Sequence, residues 1–484
     1  MEPHRRFNIS DLYPNEAKLA AEEEHEGFAD LINSGHEVQV VELSKSGHDP
    51  KIWLHSPTRG VSHVRFARDH ALSRSLHGWR RLLFSAFLPV DFPSSVSDDY
   101  LAYQTYDSLQ AFFSTITSLL ASRALLEGLG VGDANSSATF AMLLTILRDA
   151  VSHVTTIAFA HRFGLSIEPE AKKYRFLADL FNDTAFFLEL FSPYLGAWGK
   201  AVALCAGEGL RAICGVAAGA SKAALSLHFA RNDNMSELSA KEASQETAVS
   251  LIGLLVGTAV VRLVQDERAV IYLVVVLVLA HLLMNYRGVR SVRMTSLNKQ
   301  RATILFDAYL RSSAVWTPKQ VAEQEKILFW DGMIRNARAE PVFRVDFAKS
   351  YGDAMNGSGQ VVVVDGPMHS RFVRPYAPGR LGQIKILLWD GAEAKHAILA
   401  WFMAMDTAWV TDKDTPYGDA KKQDSPGSAG AGAKASIRDG RYPRAREDEL
   451  WTKMETRGWD VGVGAMEAGP GARLSIEMTR RKIN

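Results

Sequence analysis

This chain of 484 residues has little cysteine and almost no net charge. Its two cysteines, Cys205 and Cys214, lie nine positions apart in one apolar segment, a spacing that suits neither a disulfide framework nor a zinc site. We expect both to be buried free thiols. The 55 basic residues nearly cancel the 54 acidic ones, which excludes a chain-wide electrostatic field for nucleic acid.

Standard catalytic signatures are missing as well. The sequence has no GxSxG elbow, Walker-type phosphate loop, HExxH helix or complete GxGxxG, and Gly128, Gly130 and Gly132 follow a predicted helix instead of a strand. We therefore expect a protein that is not an enzyme. Residues 1–28 lack the apolar core of a signal peptide, so we expect any membrane insertion to use internal segments.

Changes in composition and hydrophobic periodicity along the chain predict three parts. Residues 1–62 are a polar extension in which HEVQVVEL and KIWLHS alternate like the strands of a β-hairpin, or of a sheet built elsewhere. Residues 63–300 are helical and increasingly apolar. Residues 301–484 mix short helices, including one near 318–329, with alternating strands, which indicates an α+β domain. We expect its Gly-rich and Ser-rich segment 419–440 to be a disordered loop.

The central part contains six candidate helices, at residues 104–127, 137–161, 172–195, 201–229, 246–264 and 269–286. The last is an uncharged run of 18 residues, which is the lower limit for crossing a bilayer. The other five carry polar stripes at helical spacing. The clearest stripe is on the third helix and consists of Arg175, Asp179, Asn182, Asp183 and Glu189.

Polar stripes on apolar helices allow two interpretations. If the helices span a bilayer, the stripes must converge on one another or on a watery cavity, because lipid cannot solvate them. If the helices form a soluble bundle, the stripes face water.

The distribution of basic residues discriminates between these interpretations. If six spans have both ends on one side, that side holds Arg162, Lys172, Lys173, Arg175, Arg231, Lys241, Arg287, Arg290, Arg293, Lys299 and Arg301, and the other side holds Arg123, Lys200, Arg262 and Arg268. This asymmetry follows the positive-inside rule and favours a multi-pass membrane protein. The predicted fold is mainly α, with a six-helix membrane-type bundle followed by a smaller α+β C-terminal domain.

Two glycine pairs have the GxxxG spacing inside apolar segments. They are Gly215 with Gly219 and Gly253 with Gly257. A glycine face lets two helix backbones approach closely, so both pairs predict tight helix packing and no chemistry.

Lys222 has two interpretations. A desolvated lysine could form a Schiff base, or it could belong to an ion-pair ladder with Arg211 and Glu208 on the same helix face, which we favour. Asp149 lies four residues before His153, close enough for a hydrogen bond on a helix, but such a pair without a nucleophile is weak evidence for catalysis.

The acids of the third helix also have two interpretations. Oxygen ligands such as Asp179 and Asp183 could bind a cation. Pairing with Lys173, Arg175 or Arg148 on a neighbouring helix is the interpretation that we favour, so no metal is predicted. Asp179 and Asp183 would then gate a shared polar interior, through a ligand or through ion pairs.

The segment LSAKEASQET predicts the start of the fifth helix. Ser239 and Glu242 have the spacing of a capping box. Glu242, Gln245 and Glu246 would then face one side, as a polar lead-in, a gate or a turn that contacts a ligand.

Four blocks in order carry a resemblance to a known family. They are FLPVDFPSSVSDDYLAYQTYDSLQ (87–110), ALLEGLGVG (124–132), AKKYRFLADLFNDTAFFLELFSPYL (171–195) and CGVAAGASKAALSLHFARNDNMSELSAKEASQET (214–247). The chain resembles the Root UVB Sensitive (RUS) family over residues 63–300, and more loosely beyond them. It departs from the family pattern at Tyr106, where Trp is expected, and at Ala150, where Gly is expected.

The resemblance implies a membrane-associated eukaryotic protein linked to vitamin B6 (pyridoxal phosphate) homeostasis and to light and UV-B responses in growth. It implies no known catalytic mechanism. The residues that match family blocks are Pro93, Ser94, Tyr103, Asp107, Lys173, Asp179, Asn182, Asp183, Arg211, Lys222, Lys241, Glu242, Gln245 and Glu246. With Asp149 added, those from Tyr103 onward are the candidate ligand-binding or polar-interior residues.

Three functions remain open. The first is a non-enzymatic membrane protein that binds a ligand, with pyridoxal phosphate as a candidate, or a partner, which would be itself or another RUS-family protein. The second is a small-molecule carrier, a six-helix half-transporter that dimerises. The third is a pyridoxal-phosphate enzyme using Lys222, which we favour least. Membrane lipid is an expected partner and nucleic acid is not.

Overall fold

The structure is a computed structural model that describes residues 37–42, 51–56, 60–63, 84–128, 138–231, 233–355, 362–364, 369–374, 381–411, 444–467, 469 and 471–475. The chain divides into two compact units, Met1–Val96 and Ser97–Asn484. The predicted loop 419–440 lies outside the described residues, and the predicted boundaries at 62 and 300 stay predictions.

The first unit contains a three-stranded antiparallel sheet. Its strands are β1 (Val38–Glu42), β2 (Lys51–Ser56) and β3 (Gly60–His63), in that order. The predicted hairpin is therefore present, and a third strand extends it. Gly60 has a φ of +70° at the start of β3, a conformation that glycine adopts without a steric penalty.

Within the described residues up to 291, the second unit begins with six helices. They are α1 (Tyr100–Gly128), α2 (Ala138–Ile167), α3 (Ala171–Phe191), α4 (Ala197–Phe229), α5 (Met235–Leu263) and α6 (Glu267–Ser291). Each overlaps a predicted helix. The largest difference is in α5, which begins well before residue 246.

The predicted capping box at Ser239 is wrong. Asn234 is the N-cap residue of α5, and Ser239 lies inside the helix. The reason is tertiary, because Leu238 is completely buried. Its burial stabilises the turn before Ser239, where the sequence offers no apolar periodicity to detect.

Three helices meet at the centre of the bundle. These are α1, α3 and α6, while α5 packs on α1 and α2 packs on α4, which in turn lies against α3. Asp99, directly before α1, joins one end of the bundle: its carboxylate lies 3.1 Å from Nε2 of His228 at the end of α4 and accepts the backbone N–H of Arg293, after α6, at 2.6 Å. The start of α1 and the ends of α4 and α6 are therefore at the same end.

Four of these helices, among the described residues, are long and apolar enough to cross a membrane. The segments are Thr139–Ile167, Trp198–Phe229, Met235–Leu263 and Arg268–Ser291, and between 11% and 33% of each apolar window is buried. The predicted count of six spans is not confirmed. Helix α3 carries too many charged residues for a membrane span. Arg175 is a buried residue of this helix and not a loop residue, as the comparison of basic residues assumed.

Beyond the bundle the chain is α+β, as predicted. Helices α7 (Lys299–Ser312), α8 (Pro318–Gln324), α9 (Tyr351–Met355), α10 (Ala394–Trp409) and α11 (Arg444–Thr456) accompany strands β4 (Met333–Arg335), β5 (Pro341–Phe347), β6 (Val362–Val364), β7 (His369–Arg374), β8 (Gly382–Trp389) and β9 (Arg473–Leu474). The strand order is β4-β5-β8-β7-β6 with β9 beside β8, and β5 and β9 run parallel to β8. Helices α7 and α10 share the main core with this sheet.

The helix predicted near 318–329 is shorter than expected. It starts at a capping box between Thr317 and Gln320 and ends at Gln324, because Glu325 turns to an extended conformation. The Glu325 carboxylate binds Nζ of Lys172 at 2.6 Å and Nη1 of Arg301 at 2.9 Å. These buried contacts with α3 and α7 hold the chain away from the helical path.

Candidate functional site

Charged and amide side chains from the three central helices form one contact network, which we call the inner cluster. Its members are Tyr103, Asp107 and Gln110 of α1, Arg175, Asp179 and Asp183 of α3, and His281 and Asn285 of α6. All eight are buried. Buried charges are costly unless they are paired and hydrogen-bonded, so the details of pairing decide what the cluster can do.

Arg175 holds the inner cluster together. Its Nη2 donates to Asp107 at 2.7 Å and its Nη1 donates to Asp179 at 3.0 Å. Its Nε donates to the Tyr103 hydroxyl at 3.3 Å. One guanidinium therefore bridges two carboxylates on two helices, the geometry in which arginine is most effective.

Asp179 is saturated with donors. Besides Arg175, Gln110 donates to its second oxygen, and Asn285 donates to the same oxygen at 2.5 Å. Three nitrogen donors stabilise the charged form of a carboxylate. They also fill the positions that a cation would need, so the geometry favours the ion-pair interpretation of Asp179.

Asp183 has fewer hydrogen-bond partners than Asp179. Its Oδ2 lies 2.9 Å from Nδ1 of His281. Its Oδ1 is buried and has no hydrogen-bond partner among the described residues. The other ring nitrogen of His281, Nε2, lies 3.6 Å from Asp179, so the imidazole sits between two carboxylates.

Small residues on α3 explain how this network can be buried. Ala178 and Ala185 are fully buried beside the acids, and a Cβ at Gly207 of α4 would come within 3.6 Å of the Ala185 carbonyl oxygen. Close helix approach excludes water from the stripe. Asp179 and Asp183 are therefore paired with side chains of α1 and α6 instead of with water.

A second set of charges pairs only among its own members, and we call it the α2–α4 cluster. It consists of Arg148, Glu189, Glu208 and Arg211. Nη2 of Arg148 lies 2.7 Å from Glu208 and 3.9 Å from Glu189. Arg211 donates to both oxygens of Glu189, from Nε at 3.0 Å and also from Nη2. Two arginines face two glutamates, so this cluster is electrically balanced.

A third set, the α4–α5 cluster, opens to the surface. Nζ of Lys222 donates to Glu246 at 2.7 Å, and the Ser226 hydroxyl donates to Glu242 at 2.9 Å. The side chains of Lys222 and Glu246 are 30% and 52% exposed. The α4–α5 cluster is therefore partly accessible from the surface.

The expected ladder within α4 does not form. Lys222, Arg211 and Glu208 pair with α5, α3 and α2 respectively. Each charge turns to a different neighbour, because the helices that pack on α4 present an opposite charge at each level. Lys222 is thus an ion-paired lysine, which is unlike the isolated amine that Schiff-base chemistry requires.

Five candidate residues lie outside all three clusters. Asp149 is exposed on α2, Lys173 is exposed with its ammonium 5.9 Å from the Tyr174 ring, and Asn182, Lys241 and Gln245 are partly buried. Cys205 and Cys214 are free but only partly buried, which corrects the expectation of full burial. Among the described residues no group of three or more His, Cys, Asp or Glu could hold a metal ion.

Sequence reasoning missed His281 and Asn285. Both lie in the uncharged segment that was interpreted only as a span. The signal was available, since two polar residues four apart in an otherwise apolar helix share one face and require polar partners.

Comparison with known proteins agrees with the resemblance found in the sequence. Residues 73–313 match the family described as the vitamin B6 photo-protection and homoeostasis domain. RUS family member 1 of Dictyostelium discoideum is 38% identical over 256 residues, which cover 52% of this chain and 49% of that protein. Protein root UVB sensitive 3 of Arabidopsis thaliana is 35% identical over 278 residues, covering 57% and 63%.

The alignments span about half to three fifths of these relatives' length. No solved structure matches the chain. The four blocks and the central helices α1 to α6 all lie within the matched region. By its vitamin B6 photo-protection and homoeostasis domain, the chain belongs to the Root UVB Sensitive family.

Proposed function

We propose that this protein is a non-enzymatic, membrane-embedded member of its family that acts in vitamin B6 homeostasis by binding a vitamer at the partly exposed α4–α5 cluster. The link to light and UV-B responses would follow from that role. One observation carries the proposal, namely that the polarity of the bundle is inverted.

The inversion is visible when α2 and α3 are compared. On α2, Val154 and Ile157 are 68% and 70% exposed, while Asp179 and Arg175 of α3 are 6% and 7% exposed. Water would impose the opposite distribution on a soluble bundle. A lipid exterior satisfies the apolar faces and drives the charges inward, where they pair.

Membrane extraction tests the first half of the proposal. We expect the full chain, expressed in a eukaryotic cell, to stay in the membrane pellet after alkaline carbonate and to dissolve only in detergent. Release by carbonate alone would contradict a membrane-embedded bundle.

Lys222 is the residue through which a ligand would enter. Its side chain is 30% exposed, and its ammonium group is 2.7 Å from Glu246. A cation at the mouth of a site attracts the phosphate or the phenolate oxygen of a vitamer.

Equilibrium dialysis of the detergent-solubilised chain against pyridoxal phosphate, pyridoxal, pyridoxine and pyridoxamine tests this entry. We expect Lys222→Gln to weaken binding by about tenfold, or about 1.4 kcal/mol. Lys319→Gln, at an exposed position of α8, is the matched control and should bind as the natural chain does. Equal binding by both variants would overturn the site, and a Schiff-base absorbance band lost in Lys222→Gln would favour the enzyme instead.

A carrier is the second candidate, because the charges continue along the bundle. Asp183 of the inner cluster and Glu189 of the α2–α4 cluster are six residues apart on α3, which is about 9 Å along a helix, so polar groups follow one another from α5 toward α2. A half-transporter of this kind would dimerise to enclose a pathway. Vitamer uptake into reconstituted vesicles that disappears in Asp179→Asn would support the carrier, and binding without uptake would oppose it.

A further inference from the structure

We propose that His281 and Asp183 form a proton-binding site inside the bundle, with a single proton from solution as its ligand. The proposal needs only the geometry of α1, α3, α4 and α6. It stands whether or not the interior binds a vitamer.

The position of the imidazole carries the argument. Nδ1 of His281 lies 2.9 Å from Asp183, and Nε2 lies 3.6 Å from Asp179. A neutral imidazole has one N–H, which the contact with Asp183 uses. The second nitrogen then faces a carboxylate without a proton, so binding one proton at Nε2 turns a repulsive contact into an attractive one.

The charge balance of the inner cluster also favours the binding of a proton. Its three carboxylates, Asp107, Asp179 and Asp183, face one permanent cation, Arg175. The α2–α4 cluster, in contrast, pairs two arginines with two glutamates. An excess of negative charge in a buried environment is unfavourable, and proton uptake relieves it.

The side chains of the inner cluster already touch one another, which points to the smallest of cations. Arg175, Asn285 and His281 lie 3.0, 2.5 and 3.6 Å from Asp179. A proton adds to these contacts without displacing any of them. The oxygen Oδ1 of Asp183, which has no partner among the described residues, leaves this carboxylate the least stabilised of the three.

The groups that face this pair come from every helix packed around it. They are Arg175 and Asp179 on α3, Asp107 on α1 beyond Arg175, and Cys214 on α4. Burial of the imidazole and the positive charge of Arg175 oppose uptake of a proton, and the carboxylates favour it. The two carboxylates, 2.9 Å and 3.6 Å from the ring nitrogens, outweigh burial and the Arg175 guanidinium, whose charge Asp107 also balances.

Nitrogen-15 NMR of the detergent-solubilised full chain, labelled at histidine, tests the site. The His281 signal is assigned by its loss in His281→Gln. Between about pH 5 and pH 9 we expect Nε2 to lose its proton while Nδ1 keeps its own. In Asp183→Asn, which preserves shape, the midpoint should fall by about one pH unit or more.

His153→Gln is the control, because His153 is exposed on α2 and should leave the His281 titration unchanged. A His281 ring that keeps one protonation state throughout this range overturns the proposal, as does a midpoint that Asp183→Asn does not move. If Asp183→Asn fails to fold, the natural chain still decides the matter: loss of the proton from Nδ1 instead of Nε2 contradicts the proposed geometry.

Discussion

The pKa values of two buried aspartates in this chain are shifted in opposite directions, and their neighbours account for the difference. Burial by itself would raise the pKa of Asp99, but contacts with His228, Ser97 and the Arg293 N–H outweigh it and hold that pKa well below its ordinary value. Asp406 on α10 is also buried, and burial raises its pKa to about 6, with only partial compensation from Arg371. An acid in this fold is stabilised by its donors and destabilised where donors are few.

Asp406→Asn should therefore stabilise the protein in a pH-dependent way. A pKa raised from 3.8 to about 6 means that the stability associated with the protonated acid is present below about pH 4 and is lost as the pH rises through 6. At pH 8 we expect the variant to be more stable by about 2–3 kcal/mol, and near pH 4 we expect no difference. Thermal melts at both pH values measure this, and a gain that is equal at both would contradict the mechanism.

At the scale of elements, identical glycine patterns have different contacts. A Cβ at Gly253 of α5 would lie 2.9 Å from Cβ of Thr115 and 3.4 Å from the Phe112 carbonyl oxygen of α1. A Cβ at Gly215 or Gly219 of α4 would meet nothing within 4 Å. The GxxxG prediction is therefore confirmed for the pair on α5 and wrong for the pair on α4, whose glycine face looks away from the neighbouring helices.

The two patterns provide a matched pair of substitutions. Gly253→Ala should destabilise the bundle by about 1–3 kcal/mol, because backbone and Cβ atoms of α1 must shift. Gly219→Ala should be neutral or stabilise by up to about 1 kcal/mol, since alanine is the better helix former and space is open. Thermal stability in detergent, compared for both variants, measures the difference; equal effects would show that α5 and α1 do not approach as closely as described.

At the scale of the whole molecule, one carboxylate joins the bundle to the α+β region within the unit Ser97–Asn484. Glu325 binds Lys172 of α3 and Arg301 of α7, and Arg290 at the end of α6 donates to the Glu325 carbonyl oxygen at 2.6 Å. Burial would raise the pKa of Glu325, but Lys172 and Arg301 outweigh burial and lower it. The charged form is thus the one that holds the two regions together.

Glu325→Gln should weaken this joint strongly. Removing one partner of a buried ion pair leaves the other charges uncompensated and costs about 3–5 kcal/mol. Because the folded-state pKa is depressed, the natural chain should lose this contribution as the pH falls below the ordinary range of a glutamate, and the variant should lose less. Melts followed from pH 7 downward measure both effects, with Glu323→Gln, an exposed neighbour on α8, as the control.

Local pattern was sufficient for much of the fold. The stripe on α3 and the strand PVFRVDF depend on a repeat of 3.6 or 2 residues, and the run 269–286 depends on unbroken apolar character; neighbours in the chain establish all three by themselves. Helix starts were less accessible, as α5 shows, because the burial of Leu238 depends on what packs against it.

The approximate positions of the central helices, their polar stripes and the family resemblance of the central blocks can all be read from residues close together in the chain. The place of His281 between Asp179 and Asp183, the pairing of Lys222 with Glu246 and the open face at Gly219 follow from the way the helices pack. The physical reason is that a polar stripe states a need for partners, while the identity of each partner depends on which helix faces it and at which level.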